Sequence, residues 1–374
     1  MIDRYGPFFR TRARDNAAVA GRYLHGLAQA AEATFASMAA VVEQGCAQQF
    51  QHFISNSPWR HEPVVAQIGQ DADRLLGGKP TSGLIIDESS FAKQGSRSVG
   101  VARQWSGRQG KVDNCQVAVF GVLTDGERHA MVDMRLYLPK RWIEDRGRCD
   151  QAGVPAEARK LASKSDHALA IVRDARAGGM QFGWVGIDAG YGKEPAFLRV
   201  LEDAGEVFVA DVHCTQRVWV WDGEERAARC WHLVVRREVA SRKTIKYTLS
   251  NAPVETPLLR LAQMQGQRYW VERALEDAKG ECGLADYQAV GWRAWHHHVT
   301  MVMLAMLFIA EQRVAHQPGL ALLTPRDIVE MLKESLPCKP QGKAALIARI
   351  NQRHQHRRSA IESRFRAQRK SAPA

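Results

Sequence analysis

No Cys-x-x-Cys pair occurs in this chain of 374 residues, and its seven cysteines are scattered at positions 46, 115, 149, 214, 230, 282 and 338. Paired zinc-ligand spacing is therefore missing, and an odd, dispersed set fits reduced thiols rather than a disulfide framework. The opening Met1-Ile2-Asp3-Arg4-Tyr5-Gly6 lacks the basic-then-apolar pattern of a secretory signal. The longest apolar run, Val299–Ala310, carries Thr300 and falls short of the roughly 20 residues a bilayer demands. It reads as a buried helix, so no membrane is expected as a partner and a cytoplasmic location is. Negative charge is the minority: 40 acidic against 52 basic residues leave a net charge of +12. That excess favours a polyanionic partner, nucleic acid before membrane. A hydrophobic content of 45% supports a real core, and the length holds one large domain with attachments, or two domains.

Two stretches share one design. Gly83-Leu84-Ile85-Ile86 reads as a short buried strand with Asp87 at its end. Phe182–Gly192 repeats the idea: Asp188 closes an apolar run, and Gly190 and Gly192 loosen the backbone after it. A carboxylate at a strand end emerges from the core into a solvent-facing cleft, and two of them point to a metal site built across a sheet.

The order of elements around these strands is informative. Residues 1–75 read as helical, with Asn16–Val42 rich in alanine. Such a region is either a small DNA-binding module or a helical cap. Gly77–Gly83 is a boundary loop, and Gln94–Gly110 is rich in glycine and serine. Val112–Thr124 and Met131–Leu138 read as strands around an Asp125-Gly126 turn, and Arg141–Ala156 as charged and irregular. Ser165–Ala177 is helical and is stopped by Gly178-Gly179. After the Asp188 strand come a helix over Pro195–Ala204 and a strand over Glu206–Val212. Three strands, helix, strand, helix, strand is the order of the ribonuclease H-like fold, an α/β architecture with a mixed sheet flanked by helices. Arg217–Trp221, Cys230–Val239 and Thr244–Ser250 read as strands of a β-rich insertion, and helix returns from about Leu258 to Glu281. The expected divisions are a helical region over 1–75, the first part of the core over 76–212, the insertion over 213–257, the last catalytic helix and its successor over 258–315, and a C-terminal helix with a basic tail over 316–374.

On the last of these helices, Arg268, Glu272 and Lys279 fall within about 40° of one another at helical pitch. One face thus offers a carboxylate between two basic residues. Taken alone, such a face is a solvated surface with i,i+4 ion pairs. Taken with Asp87 and Asp188, Glu272 is the third carboxylate, and Glu276, one turn on, is its rival. Glu88 points to the opposite face of its strand from Asp87.

At these residues the chain resembles the DDE transposases of bacterial insertion sequences, in the group marked by Tyr-x2-Arg-x3-Glu-x6-Lys. Arg268, Glu272 and Lys279 match three of the four positions; Gln265 stands at the tyrosine position and Tyr269 is out of register. Further matches are Ile86-Asp87-Glu88-Ser89, Ser98–Gly107, Asn114-Cys115-Gln116, Leu136-Tyr137-Leu138-Pro139, Asp188–Gly192, Gly283-Leu284 and Tyr287. They occur in order over about residues 55–310. The resemblance implies that Asp87, Asp188 and Glu272 bind two divalent ions, Mg²⁺ with Mn²⁺ as substitute, to which hard oxygen ligands are suited. It implies double-stranded DNA as partner, both the inverted repeats at the element ends and the target, cut and joined by a homodimer. Arg268 and Lys279 would hold phosphate, with Lys93, Arg103 and Trp105 as further DNA contacts. Trp105 and Trp221 are candidates for base stacking, and packing in the core or a turn is the commoner role for each. An inactive DNA-binding relative and a ribonuclease H-like nuclease without strand transfer are the competing readings.

His296-His297-His298 point in three directions on a helix and read as helix-start residues rather than metal ligands. Thr324-Pro325-Arg326-Asp327 is a helix start. Beyond it, nine basic residues between Lys343 and Lys370, Arg357 and Arg358 among them, face Glu362. That tail reads as an arm for the DNA backbone or as a solvated end.

Overall fold

The apolar runs that flank the two aspartates form the centre of one eight-stranded sheet in the computed structural model. The structure describes residues 1–107, 109–218, 230–237, 245–286, 288–316, 319–320, 322–339 and separate positions between 342 and 362. The strands are β1 (Gly83–Ala92), β2 (Ala102–Ser106), β3 (Lys111–Thr124), β4 (His129–Leu136), β5 (Val185–Ile187), β6 (Phe208–Val212), β7 (His232–Arg237) and β8 (Ile245–Ser250). They lie in the order β2-β3-β1-β5-β6-β8-β7, with β4 also on β3. β3 is the longest, and β2 and β4 share its outer edge end to end: β2 pairs with Lys111–Cys115 and β4 with Ala118–Thr124. β1, β5 and β6 run parallel; the other pairings are antiparallel. This mixed sheet flanked by helices is the ribonuclease H-like arrangement expected from the order of elements.

Several details differ from that expectation. Asp87 does not end its strand, because β3 is long enough to pair β1 five residues further, to Ala92. The Gly- and Ser-rich stretch after β1 contains β2, a short edge strand whose signal five residues cannot raise above the loop around it. Arg141–Ala156 is not irregular throughout: Lys140–Glu144 and Arg146–Gln151 are short helices, the second capped by the Asp145 carboxylate on the Arg148 amide. The strands of the 213–257 stretch do not stand apart. β8 pairs with β6 and carries β7, so they extend the main sheet. The strand expected at Arg217–Trp221 falls largely outside the described residues, as does Tyr287.

The helices used below are α1 (Ala17–Gln29), α2 (Phe35–Val41), α3 (Ala47–Ser55), α4 (His61–Leu76), α5 (Lys164–Ala177), α6 (Pro195–Asp203), α7 (Leu258–Gln267), α8 (Tyr269–Glu281), α9 (Trp292–His316) and α10 (Pro325–Ser335). Two of them start on reciprocal capping boxes, Ser163 with Asp166 and Thr324 with Asp327. Lys164 of α5 pairs with Glu88 at 2.6 Å, whereas Lys279 of α8 donates to Ser89 Oγ at 2.6 Å. Alternate residues of β1 therefore face α5 and α8 on opposite sides of the sheet.

α9 is the spine of the helical region. It is long and apolar enough to cross a membrane by length and composition, but it lies in the core, against α1, α3, α4 and β4. Its three consecutive histidines are all buried, not exposed at a helix start. His296 packs on the His61 ring. His297 sets Nδ1 against the Ile54 carbonyl and Nε2 against that of Trp59, each at 2.9 Å, and stacks on Trp59. His298 Nε2 lies 3.2 Å from the Gly283 carbonyl, which can only accept. Its Nδ1 then accepts from the Tyr23 hydroxyl at 2.9 Å. The tract fastens the N-terminal helices to the core.

Candidate active site

The parallel strands place the acidic residues. In β1–β5 the last pair is Ile86 with Ile187, and in β5–β6 it is Ile187 with Ala210. One position further on, Asp87, Asp188 and Asp211 stand at the same level across three neighbouring strands. This is the carboxyl end of the parallel part of the sheet, where α/β folds bind ligands. Asp211 had no place in the sequence reading. It sits inside an apolar strand, and only the β5–β6 register reveals its company.

Asp87 and Asp188 are held by backbone amides. Asp188 caps a single turn, Ala189–Gly192, with Oδ1 accepting from the amides of Gly190 at 2.9 Å and Tyr191 at 3.2 Å. Glycine is needed at the end of that turn, because a Cβ at Gly192 would meet the Asp211 carbonyl oxygen at 2.0 Å. Asp87 accepts from the Glu88 amide at 2.7 Å. Burial, then the neighbouring Asp188 charge, pushes its carboxyl up to about 7; the Glu88 amide and Arg268 oppose this, and Glu272 adds to it.

The long helix expected over 258–281 breaks at Arg268, which joins α7 to α8. Its side chain is 12% exposed and meets three carboxylates. Nε donates to Asp211 at 2.8 Å, Nη2 donates to Glu272 at 2.6 Å, and Nη1 lies 3.8 Å from Asp87. Burial works against the guanidinium charge, but Asp211, Glu272 and Asp87 outweigh it and hold its pKa above the ordinary value. Glu272 is 53% exposed and thus faces the row from α8 with Arg268 between. Glu276 is 72% exposed and paired with Arg273, pointing elsewhere. Lys279 reaches β1 two residues beyond Asp87, at Ser89, with its ammonium 5.3 Å from the Phe91 ring centroid.

The donors are all carboxylate oxygens, the hard ligands that suit Mg²⁺ or Mn²⁺. The crowding of Asp87 by Asp188 and Glu272 is a charge arrangement that a divalent cation relieves. By the chemistry of their donors Asp87 and Asp188 suit such an ion. Glu272 faces them from α8 with Oε1 accepting from Arg268, and among the described residues no three His, Cys, Asp or Glu side chains stand at metal-binding spacing.

The remaining candidates lie apart from the row. Lys93 lines a polar recess with Ser96, Arg97, Ser98 and Asp286, beyond the end of β1. Burial pushes its ammonium down to about 8, against the pull of Asp286. Arg103 and Trp105 project from β2; both are exposed, Trp105 by 54%. Arg358 is exposed, whereas Arg357 and Trp221 lie outside the described residues.

Comparisons with known proteins place the whole chain rather than its single residues. A family model described as DDE superfamily endonuclease matches residues 5–230. The chain is 25% identical over 325 residues to a probable transposase for insertion sequence element IS701 from Microchaete diplosiphon, covering 77% of this chain and 81% of that protein. Among solved structures, the NurA nuclease from Sulfolobus solfataricus aligns over 69% of this chain and 93% of its own at 8% identity, with a TM-score of 0.22 that is too low to argue from. The family match takes in more than half of the sequence, including Asp87, Asp188 and Asp211: the chain belongs to the DDE superfamily endonucleases.

Proposed function

We propose that this protein is a DNA transposase that cuts the ends of an insertion sequence and joins them to target DNA, with divalent metal held by Asp87, Asp188 and Glu272. The observation that carries the reading is the level row of aspartates at the carboxyl end of the parallel strands, faced by Glu272 from α8. The family match and the similarity to a probable insertion-sequence transposase support it.

Phosphodiesters resist attack because their charge repels nucleophiles, so the site must gather positive charge and orient the strand. Asp87, Asp188 and Glu272 would hold the divalent ions, whose chemistry would be to activate the attacking oxygen and to stabilise the leaving one. The protein's own side chains do the rest. Asp188 is held still by two backbone amides. Arg268 presents its outer nitrogens beside Glu272, and Lys279 lies along β1; both hold phosphate next to the scissile bond. Water is the first nucleophile and the freed 3′-hydroxyl the second, at the same carboxylates, so no covalent protein–DNA intermediate is required. Lys93, Arg103, Trp105, Arg357 and Arg358 hold DNA further out, and two copies of the chain hold two element ends. On this reading the protein works in the cytoplasm, on the nucleoid when bound.

The test is incubation of the full chain with element-end DNA, target DNA and Mg²⁺. Cut ends joined to target are expected. Cuts without joining would favour a nuclease, and binding without cuts an inactive relative.

A further inference from the structure

Asp211 stands in the same row as Asp87 and Asp188, yet its oxygens are engaged differently. Oδ2 accepts from Arg268 Nε at 2.8 Å, and Oδ1 accepts from the Thr248 hydroxyl at 2.7 Å. Thr248 is the residue directly opposite Asp211 in the β6–β8 pairing and is fully buried. Behind it the Gln265 amide donates to the Thr248 hydroxyl at 2.5 Å, and Gln265 is buried too. A continuous chain therefore runs from α7 through β8 and β6 to the guanidinium: Gln265, Thr248, Asp211, Arg268. Gln265 is the residue that departs from the tyrosine of the sequence motif.

We infer that Asp211 is a positioning residue and not a fourth metal ligand. With both of its oxygens bonded, it fixes Nε and so sets the plane of the Arg268 guanidinium. That plane delivers Nη1 toward Asp87 and Nη2 to Glu272. An arginine without this anchor keeps its charge but loses its direction, because the planar fork recognises phosphate only in one orientation. β8 then has a role beyond widening the sheet: it supplies the hydroxyl that steadies Asp211. Gln265, three residues before Arg268, closes the same chain from the helix side. The inference rests on the endonuclease reading of the row.

The experiment uses the full chain. Mn²⁺ binding is counted by calorimetry for the wild type, Asp188→Asn and Asp211→Asn, and cleavage of element-end DNA is measured for Asp211→Asn, Arg268→Lys and the double variant. Asp211→Asn is expected to bind as many ions as the wild type, while Asp188→Asn binds fewer. Its kcat is expected to fall about 10- to 100-fold, as for other groups that orient a catalytic site, with KM for DNA unchanged within about threefold. On the Arg268→Lys background it should cost nothing more. Loss of an ion in Asp211→Asn would make it a ligand and overturn the inference, as would losses that multiply with those of Arg268→Lys. Thr248→Val, which keeps the carboxylate and removes the hydroxyl behind it, should show a smaller fall in kcat alone; it decides the matter if Asp211→Asn does not fold. A wild type that binds Mn²⁺ but cuts no DNA would defeat the endonuclease reading, and the ion count would then judge Asp211 by itself.

Discussion

Asp87 and Asp188 share a level of the sheet but differ in what holds them, and single substitutions separate their parts. Asp87→Asn and Asp188→Asn should each lower cleavage by about 1000-fold or more, since each removes a charged donor where metal chemistry needs it. Retention of the DNA in a gel-shift assay should change only a few-fold; a parallel loss of binding would mean a folding defect instead. Between the two glutamates of α8 the geometry decides plainly. Glu272→Gln should abolish cutting, whereas Glu276→Gln, on an exposed side chain paired with Arg273, should leave the rate within about twofold, the usual size for an exposed pair. Gly192→Ala tests the backbone. Its new methyl would meet the Asp211 carbonyl oxygen, so the turn that Asp188 caps must shift. A loss of about 1–3 kcal/mol in urea unfolding is expected, the range for an overpacked core, together with reduced cleavage.

At the level of elements, α9 carries the clearest consequence for stability. Burial pushes the imidazoles of His297 and His298 down to about 3 and about 4, so both are neutral in the folded protein. The unfolded chain takes up those protons near pH 6.5, so the stability is complete above that pH and is lost as the pH falls toward 4. For His298 the loss is on the order of 2 kcal/mol by pH 5. Thermal melts from pH 8 to pH 4.5 should fall on the acid side, and His298→Gln should flatten that limb relative to the wild type. The same helix shows what could be read from the residues alone. The apolar run of α9 and the capped start of α10 declare themselves in composition and in single residues. The partners of the three histidines do not, because Ile54, Trp59 and Tyr23 lie more than 230 positions away. β1 and β5 were visible as apolar runs closed by aspartate, but the end of β1 was not, since the length of β3 sets it. That Arg268 and Glu272 share a helix face was legible in their spacing, and the two pair there. Asp211 was not, because its neighbours are fixed by strand register rather than by any local pattern.

For the molecule as a whole, positive charge is dense toward the end of the sequence. Lys339 is tied to the N-terminal region through the carbonyls of Ala39 and Gly45, so a chain ended after residue 340 keeps that contact. It loses nine basic residues between Lys343 and Lys370. Affinity for duplex DNA measured against salt concentration should then show a shallower slope, by about 0.9 for each phosphate contact removed. An unchanged slope would assign the tail no place on the DNA. Finally, the histidine tract gives the molecule a built-in reporter of its own integrity. Three consecutive imidazoles are what an immobilised-nickel resin captures, and here all three are sealed beneath packed side chains. A tag-free preparation should be held more strongly by such a column in urea than when native, so the gain in retention follows release of the tract without any label.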